Sequence, residues 1–337
     1  MRQGRGRYLL RKVGWAMLTV FVVITFNFLL FRVLPGDPAK AGIKDPRLSP
    51  ETVAALEERY GLDKPVFLNF EEGAGLFDSQ YFAYLSALLE GDFGTSYAFR
   101  DTPVEDLLGQ ALVNTLWLVL PAQLLAIGLG VALGLIAARR RGTRVDVGAL
   151  SFSLVMWALP TFFLGVILLF AGSKWLGLPV AGRVTVGADY ASFGEAVSDV
   201  VSHLILPTLT LTLVLLGEYM LIMRSSVVDV LSEDYVLTAK AKGLSTAQIV
   251  RRHALRNAML PIVTLIALNL AFTVSGAIQV ETVFSWPGLG GLTVQAVGQR
   301  DFPVLQGAFL LLAVAVVFAN LIVEAIYGWL DPRVVEA

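Results

Sequence analysis

The chain has 337 residues, of which 56 % are hydrophobic and 16 % charged, with 26 basic against 27 acidic residues and a net charge of −1. Soluble domains run nearer about 45–50 % apolar and about 25 % charged; here the mean hydropathy is +0.69 and the apolar residues gather in long runs. A soluble enzyme, a disordered chain and a nucleic-acid binder are excluded, and the composition is that of an all-α polytopic membrane protein.

Six stretches are long enough to cross about 30 Å of hydrocarbon at about 1.5 Å per residue. In chain order they are Val13–Leu34, Leu112–Ala138, Val147–Gly172, Ser202–Met223, Ala258–Val280 and Val304–Leu330. Residues 1–34 form a cytoplasmic N-terminus and the first span. A secretory signal is a poor fit there, because the apolar run is too long and Arg32 and Pro35-Gly36-Asp37-Pro38 separate it from the cleavage-like Ala39-Lys40-Ala41.

Residues 35–111 form an insertion with 14 acidic and 6 basic residues, long enough for several helices and punctuated by turns at Asp63-Lys64-Pro65 and Gly91-Asp92-Phe93-Gly94. The remaining five spans make a transmembrane core over residues 112–330. Basic residues fix the orientation, since Lys and Arg of short loops stay inside. Arg2, Arg5, Arg7, Arg11 and Lys12 precede the first span, and Arg139, Arg140, Arg141 and Arg144 join the second to the third. Arg224, Lys240, Lys242, Arg251, Arg252 and Arg256 join the fourth to the fifth. Both termini, including residues 331–337, are therefore expected in the cytoplasm and the insertion outside.

In the second span Ala126, Gly130, Gly134 and Ala138 repeat every four residues, a stripe that permits close helix contact, either as static packing or as a sliding surface. The fourth span carries Glu218, about 8 Å from its inner end, and the sixth carries Glu324 one turn after Asn320. Intramembrane acids are expensive and face protein or water. Glu218 pairs with an arginine of the inner rim or lines a cavity, and Asn320 and Glu324 can share a hydrogen-bond network. His203, near the outer end of the fourth span, reads as an interfacial hydrogen-bonding residue. The segment Glu281–Pro303, rich in glycine and aromatics, is an interfacial belt or a re-entrant loop, and structural anchoring is favoured for it over a place on the solute path.

Loop 224–257 is the most informative segment. Ser232 is placed to cap a first helix, with Glu233 and Asp234 in its first turn, Lys240 and Lys242 in its last, and Gly243 at the left-handed C′ position. Ser245-Thr246-Ala247-Gln248 is a capping box for a second. Three- and four-residue spacing groups Tyr235, Thr238, Ala239 and Lys242 on one face. The hairpin is either a solvated basic rim for anionic lipid or a docking element for a cytoplasmic partner. No Gly-Lys dipeptide occurs, so a Walker A loop is missing, as are Gly-x-Ser-x-Gly and His-Glu-x-x-His.

The run Asp234-Tyr235-Val236-Leu237-Thr238-Ala239-Lys240-Ala241-Lys242-Gly243-Leu244-Ser245, continuing through Arg252–Ala258 to Pro261, resembles the EAA loop of ABC importer permeases, and more narrowly their dipeptide, oligopeptide and nickel branch. Pro35–Ala39, Gly61–Pro65, Gly91–Ser96, Pro160–Gly165, Val280–Gly290 and Asp331–Arg333 extend the resemblance along nearly the whole chain. It implies a type I ABC importer permease fold in a bacterial or archaeal cytoplasmic (inner) membrane, with the insertion mostly helical. The chain would carry no catalytic residue, metal or cofactor.

Implied partners are a second homologous permease subunit, two cytoplasmic ABC ATPase subunits or one fused ATPase carrying ATP and Mg, and an extracytoplasmic solute-binding protein. Asp234, Tyr235, Thr238, Ala239, Ala241, Lys242 and Gly243 would form the coupling helix, placed at 232–243. Leu237-Thr238-Ala239 stands where many relatives have Glu-Ala-Ala, so a glutamate contact is not carried over. Peptides are the implied cargo, with nickel chelates or a glycoside as alternatives. An ATP-independent secondary transporter would need an inverted repeat or a chain of intramembrane ionisable groups, and the sequence has neither.

Overall fold

The computed structural model describes residues 2–33, 49–52, 55, 63–70, 75–99, 102–250 and 255–330, and is overwhelmingly helical. The elements are α1 (Arg2–Val33), α2 (Gln80–Glu90), α3 (Val104–Arg139), α4 (Arg144–Ala158), α5 (Thr161–Leu176), α6 (Phe193–Leu231) and α7 (Asp234–Ala241). They continue with α8 (Thr246–Ile249), α9 (Leu255–Gly276), α10 (Ile278–Val283), α11 (Leu289–Gln299) and α12 (Phe302–Leu330). An isolated bridge between Thr95 and Pro103 is the only β pairing among the described residues.

Among the described residues, four helical stretches are long and apolar enough to cross a membrane: Leu10–Arg32, Val104–Arg139, Phe193–Leu231 and Phe302–Ile322. They correspond to the first, second, fourth and sixth predicted spans, generally with extra turns beyond the apolar run. The third, expected as one helix over Val147–Gly172, is instead α4 and α5, bent by 104°. Pro160 is the cause. It has no N–H to continue the ladder and drives the preceding residue out of helical space, and Leu159 sits at φ −69° and ψ 131°. The pair counts as a fifth crossing if taken together. Where the fifth span is expected, α9 runs from Leu255 to Gly276, and the apolar stretch among its described residues is Asn257–Ile266. Its helix ends at Gly276, so Val280 belongs to the separate turn-and-a-half of α10.

The chain divides into two compact units. One comprises 1–14, 113–291 and 315–337. Its centre is α6, against which α3, α4, α5 and α9 pack. The small-residue stripe of the second span lies on this helix. A Cβ on Gly130 would stand 2.6 Å from Tyr219 Cβ, and one on Gly134 2.7 Å from Met223 Cβ, so only glycine admits this approach. Ala126 and Ala138, the other members, are buried in the same cluster as Tyr219, Met223, Val227, Ala258 and Ile262. Helix α4 is tied to α6 by Asp146, whose carboxylate accepts Arg224 Nε at 2.6 Å and Nη2 at 2.8 Å, a bidentate fork.

The other unit comprises 15–112 and 292–314. Phe28 is fully buried among Phe67, Tyr81 and Tyr84, and Thr25 Oγ1 lies 2.7 Å from the Tyr81 hydroxyl. Among described residues of the insertion, 50–52, 55, α2 and the start of α3 are helical, while 63–70 and 91–99 are turns and extended segments. Asp92 makes the turn expected at Gly91–Gly94 by accepting the Gly94 amide at 2.7 Å. The following turn encloses Asp301. This fully buried carboxylate accepts the hydroxyl of Ser96 and the amides of Tyr97 at 3.2 Å and Ala98 at 3.1 Å. It thereby anchors the start of α12 to the insertion.

Candidate functional site

The predicted coupling loop folds as a helical hairpin of α7 and α8. Its first helix is shorter than expected, Asp234–Ala241 rather than 232–243. Ser232 is not its N-cap: α6 runs on to Leu231, and the Ser232 hydroxyl donates backward to the Asp229 carbonyl at 2.6 Å, closing α6. The turn after α7 is as expected, with Gly243 at φ +81°, a conformation that costs a side chain about 1–2 kcal/mol. The capping box also forms. The Ser245 amide donates to Gln248 Oε1 at 2.9 Å and the Gln248 amide to Ser245 Oγ at 3.4 Å.

The hairpin's faces differ from the predicted grouping. Ala239 turns inward, 7 % exposed, and packs with Val236 and Ile249 against Leu231 and Leu244. Outward lie Asp234, Tyr235, Thr238, Ala241, Lys242 and Gly243. The Tyr235 hydroxyl accepts from Asn257 Nδ2 at 3.1 Å, which ties α7 to the start of α9. The hairpin is thus braced by the two membrane helices on either side of it: α6 through Leu231 and α9 through Asn257. Arg251, Arg252 and His253 lie outside the described residues, as do the side chains of Lys240 and Arg256.

Within the helices, Glu218 meets an amide, while Arg251, Arg252 and the side chain of Arg256 at the inner rim lie outside the described residues. Asn269 Nδ2 of α9 donates to its carboxylate at 3.1 Å. Behind it, Gln123 of α3 donates to the hydroxyl of fully buried Tyr219. Three helices are therefore joined by polar groups at one level. Asn320 is exposed on α12, and the side chain of Glu324 lies outside the described residues, so their expected network does too.

His203 is buried, and its Nδ1 lies 2.8 Å from the Asp199 carbonyl oxygen. Asp199 in turn accepts the amide and hydroxyl of Thr185, both at 2.7 Å, and the Tyr190 hydroxyl at 2.6 Å. The neighbouring Ser202 hydroxyl also donates to the Asp199 carbonyl. The imidazole thus serves the loop ahead of α6, in keeping with the hydrogen-bonding role expected of it.

A site that sequence reasoning did not single out is Glu281, 1 % exposed at the head of the aromatic and glycine-rich segment. Its carboxylate accepts Thr115 Oγ1 of α3 at 2.6 Å and the Gly291 amide at 2.8 Å, and the Thr115 oxygen accepts the Leu289 amide at 2.8 Å. Trp286 is buried too, donating Nε1 to the Asn114 carbonyl at 2.9 Å, while Asn114 Nδ2 donates to the Pro287 carbonyl at 2.9 Å. The segment is an anchor, and Trp286 is no interfacial belt residue. Burial pushes the Glu281 carboxyl above the usual carboxylate range, opposed by Thr115 and by the amides of Gly291 and Gly290. A Cβ on Gly288 would fall 2.1 Å from Glu281 Oε1, so the glycines make room for the acid.

Residues 130–336 match the model of the family described as binding-protein-dependent transport system inner membrane component, and residues 6–119 that of the N-terminal part of such membrane components. The chain is 36 % identical to the di/tripeptide transport system permease protein of Pseudomonas aeruginosa, with 97 % of this chain and 98 % of the relative covered. Over the same shares it is 34 % identical to an oligopeptide transport system permease protein of Bacillus subtilis and 37 % to a glutathione transport system permease protein of Salmonella choleraesuis. Among solved structures, an inward-facing MetNI methionine ABC transporter matches at a TM-score of 0.52 with 16 % identity. That match covers 67 % of this chain and 96 % of the other, and it supports the fold alone.

Proposed function

Since the chain belongs to the binding-protein-dependent transport system inner membrane components, we propose that it is the transmembrane permease subunit of an ATP-driven importer of di- and oligopeptides. The observation that carries the reading is the end-to-end similarity to peptide and glutathione permeases. In this reading it forms half of a translocation pathway with a second homologous permease. Two ATPases, or one fused ATPase, dock on the α7–α8 hairpin, and a solute-binding protein delivers cargo from outside. The acidic insertion suits it to steer that delivery, since complementary charge speeds encounter. Both termini face the cytoplasm.

The hairpin is suited to transmit force. A capping box, a glycine turn and a small apolar core hold it rigid, and its two attachments lead directly into α6 and α9. ATP binding brings the two ATPases together, the hairpins follow, and the helices rock until the cavity opens outward. Hydrolysis resets it inward. Through its bidentate fork with Asp146, Arg224 makes α4 move with the inner half of α6. ATP and Mg belong to the partner subunits and the chemistry is theirs.

Affinity purification from the native membrane, read by mass spectrometry, tests the assembly. A second permease and an ATPase are expected to copurify. Recovery of this chain alone in a preparation that transports without ATP would refute the reading.

A further inference from the structure

We infer that Glu218, oriented by Asn269, faces the aqueous solute path and receives the cationic ammonium end of the transported molecule; this rests on the peptide-importer reading above. The flanking residues Leu216, Gly217, Tyr219 and Met220 are all buried against neighbouring helices, whereas Glu218 is only half-buried. Its carboxylate therefore lies at the margin of the α6 packing, between α6 and α9. It stands six residues before Arg224, about 9 Å along the helix axis, well inside the span.

A carboxylate at that depth does not face lipid. Among the described residues its one hydrogen-bonding partner is the neutral Asn269 amide, and none of their lysines, arginines or histidines forms an ion pair with it. An amide donor at 3.1 Å fixes one oxygen and leaves acceptor capacity for an incoming N–H donor. Tyr219 and Gln123, hydrogen-bonded to each other behind it, hold the α6 backbone against α3. Leu221, Ile222 and Leu265 nearby are aliphatic. A single fixed charge among such side chains suits a transport site, since it attracts an ammonium group while offering few other contacts to retain it.

The chain has no cysteine of its own, which makes the test direct. In the assembled complex, Glu218→Cys is expected to react with a water-soluble, membrane-impermeant thiosulfonate in at least one nucleotide state, and millimolar dialanine should slow that reaction. Separately, Glu218→Gln should lower dialanine uptake about tenfold, the scale of one charge-assisted contact, with Glu218→Asp retaining most of the activity. Cysteine at 218 that stays unreactive in every state, while Val186→Cys on the exposed loop ahead of α6 reacts, would overturn the inference. So would uptake by Glu218→Gln equal to that of the parent complex. A Glu218→Gln complex that dissociates in detergent would assign the carboxylate to a partner subunit's cation instead. If the parent complex moves no dialanine, the peptide reading fails, whereas unreactive cysteine at 218 beside normal uptake defeats this inference alone.

Discussion

Glu281→Ala is expected to destabilise the protein by about 3–5 kcal/mol, the combined cost of stranding several buried hydrogen-bond donors. The substitution leaves the Thr115 hydroxyl and the Gly290 and Gly291 amides without their shared acceptor in a site from which water is excluded, and each stranded donor costs about 1–3 kcal/mol. Glu281→Gln should cost less, because its amide oxygen still accepts. Gly288→Ala should resemble the alanine variant although it touches no hydrogen bond, since its Cβ would occupy the space of the carboxylate itself. Thermal unfolding of the detergent-purified proteins ranks the three. Gly288→Ala with parental stability would contradict the packing described for this anchor.

The second large effect concerns coupling. Thr238 lies on the outer face of α7, away from Val236, Ala239 and Ile249. Thr238→Trp should therefore leave insertion and folding intact while obstructing an ATPase docked there. Uptake is expected to fall at least about tenfold, equivalent to about 1.4 kcal/mol, and stimulation of ATP hydrolysis by loaded binding protein should be lost. Ala239→Trp is a different experiment, because it would burst the hairpin's own core. Phe170→Trp, at an exposed apolar position of α5, is the control and should transport normally. Coupled transport by Thr238→Trp at the parental rate would remove the hairpin from the drive mechanism.

Local signals in the sequence are legible where local chemistry decides the outcome. Gly243 and the Ser245–Gln248 box sit within one turn of the groups they satisfy, and both form as expected. The Ala126–Ala138 stripe was legible because close approach needs small residues at fixed spacing, whatever the partner helix. Where spacing alone had to choose a face, it failed. Tyr235 and Ala239 are one turn apart, but the apolar pair that finds cover is Val236 with Ala239, because Ile249 and Leu244 lie on that side. Ser232 carries a capping residue's chemistry, and only the length of α6 reveals that it ends one helix rather than starting the next.

The break at Pro160 was available from the proline and its effect on Leu159, but hydropathy alone runs straight through it. Glu281 could not be found from its neighbours in sequence. Its acceptor role depends on Thr115, which lies 166 positions away, and the glycines that admit it read from sequence only as a flexible loop. Asp301 is the same case, held by a turn 205 positions earlier.

The central claim is that this chain moves peptides only as part of an ATP-driven assembly. The most direct test is uptake of a labelled dipeptide by the purified complex in proteoliposomes, with ATP enclosed and loaded binding protein outside. Accumulation against a gradient is predicted, abolished when ATP is replaced by a non-hydrolysable analogue or when the binding protein is omitted. Accumulation that persists without ATP and follows an ion gradient would contradict the account.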